Sequence, residues 1–192
     1  MTAPTIETIY FSRMESPIGK LLVAASEQGL RYVYFKNDGP LPQKKDEVWI
    51  ESAEKVRPYE DQLQAYFRGE LRDFTCKLDL VGTEFQKQCW NALLRIPYGA
   101  TCSYGDIARQ IGRPQAFRAV GMANHDNPIP IIVPCHRVLG ANGTLTGYGG
   151  GLGTKEKLLR LEGASFRLPR SQAQSEDHAA NNIRSTQATF EY

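Results

Sequence analysis

Residues 103–138 read SYGDIARQIGRPQAFRAVGMANHDNPIPIIVPCHRV, and the organisation of the second half of the chain follows from this stretch. Ser103 can cap a first short helix in which Ile107, Ala108 and Ile111 face inward. Gly112-Arg-Pro114 then breaks the chain, and Pro114 suits the first turn of a new helix, where its missing amide costs nothing. That second helix runs roughly over 115–124, with Ala116, Ala119 and Val120 available for packing. Two short helices joined by a Gly-containing turn form a helix-turn-helix pattern, shared by nucleic-acid readers and purely structural hairpins. From Asn127 to Pro134 three prolines stiffen an apolar segment. Proline has no amide to donate, so this segment is not a regular central strand. It delivers the chain to Cys135-His136-Arg137.

Working outward, Thr83-x-x-Gln86 is a capping box that satisfies two free backbone amides reciprocally. Phe85, Cys89, Trp90, Leu93 and Leu94 follow at helical spacing, and Pro97-Tyr-Gly99 ends that helix. Further upstream, residues 5–13 alternate apolar and polar side chains, as a half-buried strand does. Residues 20–26 and 30–35 read as two more strands around Glu27-Gln-Gly29. Residues 37–49 read as a loop, 52–68 as a helix with Val56, Leu63, Tyr66 and Phe67 near one face, and 74–80 as a short strand. No histidine occurs before residue 81, and Cys76 sits in a strand pattern, so residues 1–81 read as scaffold. Downstream of Cys135 come Gly147-Tyr-Gly-Gly-Gly-Leu152 and a helix capped near Thr154 that contains Leu158, Leu159 and Glu162. From 168 to 192 the chain is poor in large apolar residues and reads as a disordered tail.

The chain of 192 residues, 41% hydrophobic and 23% charged, fits one domain or two small ones of an ordinary folded protein. No apolar run reaches the length of a membrane span, and the first residues lack the features of a signal peptide. A cytoplasmic protein without membrane association is expected. Four cysteines without a Cys-x-x-Cys pair exclude a disulfide scaffold and speak against structural zinc. Net charge is +2, unevenly spread: −2 over residues 1–81 and +4 over 82–166. A mildly basic second half is what a nucleic-acid-binding unit carries.

Cys135 is the position with most chemistry in reach. Histidine can take a thiol proton and a cation can stabilise the thiolate. Neighbours in an extended strand face opposite ways, so pairing Cys135 with His136 needs a turn at Pro134-Cys135 or a bridging water. Glu162 is a candidate to orient the imidazole. The spacing alone leaves open a core cysteine beside a surface histidine. Gly149, Gly150 and Gly151 lack the Lys-Ser/Thr of a phosphate loop and rather allow a ligand close to the backbone. Neither the serine-hydrolase elbow nor the zinc-deaminase motif occurs.

Pro134-Cys-His-Arg-Val138, preceded by Asn127-Pro128, resembles the active-site signature of the O6-alkylguanine-DNA alkyltransferases. Thr83-Glu-Phe-Gln86, Ser103-Tyr104, Arg118-Ala-Val-Gly121, Gly147-Tyr148, Lys155 and Leu161-Glu-Gly163 extend the resemblance over roughly residues 83–164. The resemblance implies an α/β fold in two parts. Residues 1–81 would be a ribonuclease H-like α/β domain. Residues 82–167 would be a winged-helix-like, mainly helical DNA-binding domain. It also implies single-turnover transfer of an alkyl group from O6 of guanine, or more weakly O4 of thymine, to Cys135. His136 would be the base acting through water, Glu162 the carboxylate behind it, and Asn127 the brace of the turn. Tyr104 would help rotate the nucleotide and assist the leaving guanine. Arg118 would fill the vacated place in the duplex. Ala116, Phe117, Ala119, Gly121 and Ser103 would lie on the DNA-binding face. Carbonyls of Cys135 and Val138, with Tyr148, Gly149 and Arg137, would form the base pocket.

The implied partner is duplex DNA carrying O6-alkylguanine, met by a monomer, with no metal and no organic cofactor required. Phe117 and Gly149 depart from the small residue and the serine found there in relatives, and the first part lacks the Cys/His set that binds zinc in some of them. A non-catalytic reader of alkylated guanine is the alternative; readers of that kind lack the nucleophilic cysteine, which this chain retains. A helix-turn-helix regulator or a cysteine hydrolase would not require this combination.

Overall fold

The fold is described from a computed structural model covering residues 6–35, 41 and 44–169. The first part is a four-stranded mixed sheet. Strands β1 (Glu7–Met14), β2 (Leu21–Ser26), β3 (Gly29–Phe35) and β4 (Glu47–Glu51) lie in the order β3-β2-β1-β4. β1–β2 and β2–β3 are antiparallel, while β4 joins β1 in parallel. β2 is buried along its whole length because both sheet faces are covered. Leu21 and Val23 face the main core, whereas Leu22 and Ala24 join Ile9, Phe11 and Tyr32 on the other side. Helix α1 (Ala53–Phe67), capped by Ser52, lays Val56, Leu63 and Tyr66 against the main core.

Two expectations for this part fail. Residues 47–49, the end of the expected loop, instead belong to the edge strand β4. Its apolar residues mislead because Val48 and Ile50 point to solvent and Trp49 inward against Phe11 and Tyr32. Conversely, 74–80 is not a strand: Leu78 alone bridges Leu30. The chain there passes so close to β3 that a Cβ on Gly29 would sit 2.6 Å from the Lys77 carbonyl oxygen. The tail from 170 onward lies outside the described residues; Leu168, just before it, packs beside Leu139, Leu145 and Leu159.

The second part is helical. α2 (Glu84–Leu93) begins at the Thr83–Gln86 capping box. β5 (Cys102–Ser103) leads into α3 (Tyr104–Gln110), whose cap Ser103 forms a second box with Asp106. α4 (Phe117–His125) starts two residues later than expected and buries Val120 and Ala123, while Ala119 is exposed rather than packed. The Trp90 indole donates to the Ala123 carbonyl at 2.8 Å and so pins α4 to α2. A 3-10 turn over Cys135–Arg137 runs directly into β6 (Val138–Leu139), which pairs in parallel with β5. α5 (Leu152–Leu161) starts at Gly151, not near Thr154, and Glu162 is its C-cap. The parts share one continuous core, and the Val33 amide donates to the Pro128 carbonyl at 2.9 Å.

Candidate active site

The three prolines do place Cys135 on a turn. Pro134 has φ −83° and ψ 61°, and the Cys135 amide donates back to the Val133 carbonyl at 2.8 Å, an inverse γ-turn. Ile131 is held at φ 78°, a conformation that costs a β-branched residue about 1–3 kcal/mol and persists only where the surroundings enforce it. Asn127 supplies part of that enforcement. Its Nδ2 donates to the Val133 carbonyl at 2.8 Å and to Cys135 Sγ at 3.1 Å, and its Oδ1 accepts from the Ile129 amide at 3.0 Å.

Cys135 is 6% exposed and lies where two clefts meet. One, of about 420 Å³, runs toward α4 between Tyr104, Gly121, Asn124, Tyr148 and Gly149. The other, of about 460 Å³, runs toward β3 past Tyr34, Phe35 and Pro130. Burial pushes the thiol up to about 11, against the Asn127 hydrogen bond and the nearby Lys155 charge, so the resting sulfur is protonated. A base must take the proton before the sulfur can act as a nucleophile.

His136 stands behind the turn, fully buried. Its Nε2 lies 2.8 Å from Glu162 Oε1, while its Nδ1 has no protein partner. Burial outweighs the Glu162 attraction and lowers its pKa, so the ring is neutral at physiological pH. With the carboxylate accepting at Nε2–H, the bare lone pair is on Nδ1. Sγ makes no direct hydrogen bond to the ring among the described residues, where Asn127 and not His136 donates to it. Asn124 and Tyr148 are the other residues with buried, unpartnered side-chain polar atoms among those described, and both line the clefts beside Cys135. Buried polar atoms in folded proteins are paired with protein, water or a ligand, and these lie on residues that border the clefts.

Glu162 anchors the rear. Burial opposes its ionisation, yet hydrogen bonds from His136 and Arg137, with the Arg137 charge, hold its carboxyl at about 2. Arg137 donates to it through Nε and Nη2, each at 2.9 Å, and through Nη1 to the Ile96 carbonyl at 2.6 Å. The Gly99 amide donates to Oε2 at 3.3 Å. Gly99 has φ 76°, and a Cβ there would meet the Glu162 carbonyl oxygen at 2.9 Å, so the approach requires glycine. The expectation that Arg137 lines the base pocket is therefore corrected: its guanidinium turns inward to neutralise Glu162. Val138 is likewise buried, and its carbonyl already accepts from Lys155 Nζ at 2.6 Å. Lys155, fully buried, also donates to the Thr146 carbonyl at 3.1 Å, and burial lowers its pKa to about 8.

On the outer side, Tyr104 lines the α4 cleft and its hydroxyl pairs with Thr146 Oγ1 at 3.1 Å. Gly121 faces the Tyr104 ring. Phe117 and Arg118 project from the start of α4, Phe117 being 46% exposed, with the guanidinium 5.8 Å above the ring. Ala119 is exposed and Ala116 half-buried. The Ser103 hydroxyl is engaged by Asp106 in the cap of α3. Sequence reasoning missed Tyr66 and assigned no role to Lys155, although both touch the turn or its carboxylate. Among the described residues no cluster of three His, Cys, Asp or Glu is placed to hold a metal, and no helix is long and apolar enough to cross a membrane.

Residues 9–80 match the ribonuclease-like domain of 6-O-methylguanine DNA methyltransferase, and residues 84–164 match its DNA binding domain. A methylated-DNA–protein-cysteine methyltransferase of Methanosarcina acetivorans is 57% identical, covering 81% of this chain and 99% of its own length. The Mycobacterium tuberculosis protein of the same name is 51% identical, covering 80% and 92%. The crystal structure of the M. tuberculosis O6-methylguanine methyltransferase superposes with a TM-score of 0.74 at 50% identity, covering 81% of this chain and 93% of that one. A structure from the same organism in complex with DNA gives 0.71 at 47% identity, covering 81% and 92%. With both halves matched in order and identity sustained over four fifths of its length, the chain belongs to the 6-O-methylguanine DNA methyltransferase family.

Proposed function

We propose that this chain repairs DNA by transferring a methyl or other alkyl group from O6 of guanine to its own Cys135, once and irreversibly. The observation that carries the reading is the position of Sγ. It lies at the head of a cleft that opens onto α4, with Asn127 donating to it and the His136–Glu162 pair behind it. An alkyl carbon on O6 sits inside a stacked base pair and reaches a buried sulfur only after the nucleotide is rotated out. Arg118, exposed on α4, fills the vacated place, while Ala116, Phe117, Ala119, Gly121 and Ser103 border the DNA. Tyr104 assists rotation and departure of the guanine. Tyr148, Gly149 and the carbonyls of Cys135 and Val138 hold the base, the last shared with Lys155.

His136 Nδ1 takes the thiol proton through a water, and Glu162 holds the ring and balances its charge. The sulfur then attacks the alkyl carbon in line with the bond to O6. The S–C bond forms, the C–O6 bond breaks, and its electron pair leaves with guanine, which receives the proton. The thioether has no leaving group, so each molecule acts once. Alkyl groups on O4 of thymine are transferred more slowly. The protein works as a monomer in the cytoplasm, with residues 1–81 and 82–167 as its two units.

Intact-mass spectrometry tests this after incubation with a duplex carrying O6-methylguanine. One methyl gained per protein, and none by Cys135→Ala, is the expected result. Unchanged mass with tight lesion binding would instead identify a reader.

A further inference from the structure

The geometry points to Tyr66, on α1 of the N-terminal part, as a positioning residue for alkyl transfer: its hydroxyl sets the hydrogen bonding of the carboxylate that holds His136. The inference rests on the reading of Cys135 as alkyl acceptor. Tyr66 is fully buried, and its hydroxyl donates to Glu162 Oε1 at 2.8 Å. That same oxygen receives His136 Nε2 at 2.8 Å and Arg137 Nη2 at 2.9 Å. Tyr66 therefore competes with His136 for one carboxylate oxygen. Its ring is fixed by Phe67, Phe74 and Tyr98, with centroids 5.4–6.2 Å away, so the hydroxyl has little freedom to leave.

A third donor on Oε1 disperses charge that would otherwise fall on the imidazole. The Glu162–His136 bond then orients the ring without making it so basic that it binds a proton at rest. The groups around this pair are Tyr66 from α1, Tyr98 after α2, Cys135 and Arg137 from the 3-10 turn, Tyr148 from the glycine-rich loop and Lys155 from α5. Arg137 and Lys155 oppose protonation of His136, and Glu162 is the one anion favouring it. Withdrawing the Tyr66 donor strengthens Glu162 alone, so His136 becomes harder to keep neutral.

Tyr66→Phe keeps the ring and removes the donor. Single-turnover rates of methyl transfer to the protein are measured from pH 5 to 9 for the wild type, Tyr66→Phe and Leu63→Val. Leu63 is a fully buried neighbour on the same helix and reports pure loss of packing. The expected result is an acid limb moved upward by about 0.5 to 1 pH unit in Tyr66→Phe alone. The rate below the midpoint would then fall about three- to tenfold. Wild type that transfers methyl, with Tyr66→Phe retaining its acid limb or matching Leu63→Val, overturns the inference. Wild type that transfers none overturns the reading beneath it. Should Tyr66→Phe be poorly folded, the His136 titration is followed by NMR in full-length protein carrying ring-fluorinated tyrosine, whose hydroxyls are more acidic. An unmoved imidazole there also overturns it.

Discussion

Replacing Glu162 by glutamine preserves shape and removes one charge from the most connected carboxylate of the site. It accepts from His136, Tyr66, the Gly99 amide and two nitrogens of Arg137. A carboxyl held at about 2 instead of 4.5 is worth about 3 kcal/mol of folded-state preference for the anion near pH 7. Leaving Arg137 buried without its counter-charge falls in the range of about 3–5 kcal/mol for breaking an interior ion pair. Glu162→Gln is therefore expected to lose about 3 kcal/mol, a large share of the ~5–15 kcal/mol that holds a domain together. The sign with pH follows from the depressed folded pKa. The contribution is complete above 4.5 and disappears as pH falls toward 2, so the gap between wild type and variant narrows only in that window. Urea unfolding at several pH values, with the single-turnover rate measured alongside, is the assay. A gap under about 1 kcal/mol near neutrality, or one that does not narrow below pH 4.5, would refute the reasoning.

Asn127→Ala removes the donors to Sγ and to the Val133 carbonyl; its transfer rate is expected to fall about 100-fold or more, as when an oriented charge-stabilising donor is lost, and a loss under threefold contradicts the role. Lys155→Met leaves two carbonyls without their donor and removes a positive charge that lowers the thiol pKa; a raised thiol pKa and slower alkylation by a small reagent are expected, read by pH-dependent iodoacetamide labelling. Phe117→Ala should slow repair in duplex DNA while leaving reaction with the free alkylated base unchanged, because the ring lies on the outer face of α4. Equal losses on both substrates would remove Phe117 from the DNA-binding face.

The local features of this fold were legible because they depend on neighbours in sequence. The Thr83 and Ser103 caps, the α1 face and the non-strand course of 127–134 all follow from residue types within a few positions. What escaped depends on distant partners. Tyr66 shares helical spacing with Val56 and Leu63 and so reads as core; its hydroxyl partner lies 96 positions away. Arg137 was placed in the base pocket because adjacency to Cys135 says nothing of direction. The 3-10 turn points its guanidinium at Glu162, 25 positions on. Strand β4 was hidden by its outward Val48 and Ile50, since an edge strand pairs on one side only.

The central claim is that one carbon moves from guanine O6 to one sulfur. A duplex carrying O6-methylguanine labelled with carbon-13 in the methyl group, followed by peptide mapping of the full-length protein, tests it most directly. The account predicts a single labelled S-methyl on the peptide containing Cys135, equal in amount to the protein, with unmodified guanine left in the DNA. Label on Cys76, Cys89 or Cys102, or label released as methanol over repeated turnovers, would contradict it.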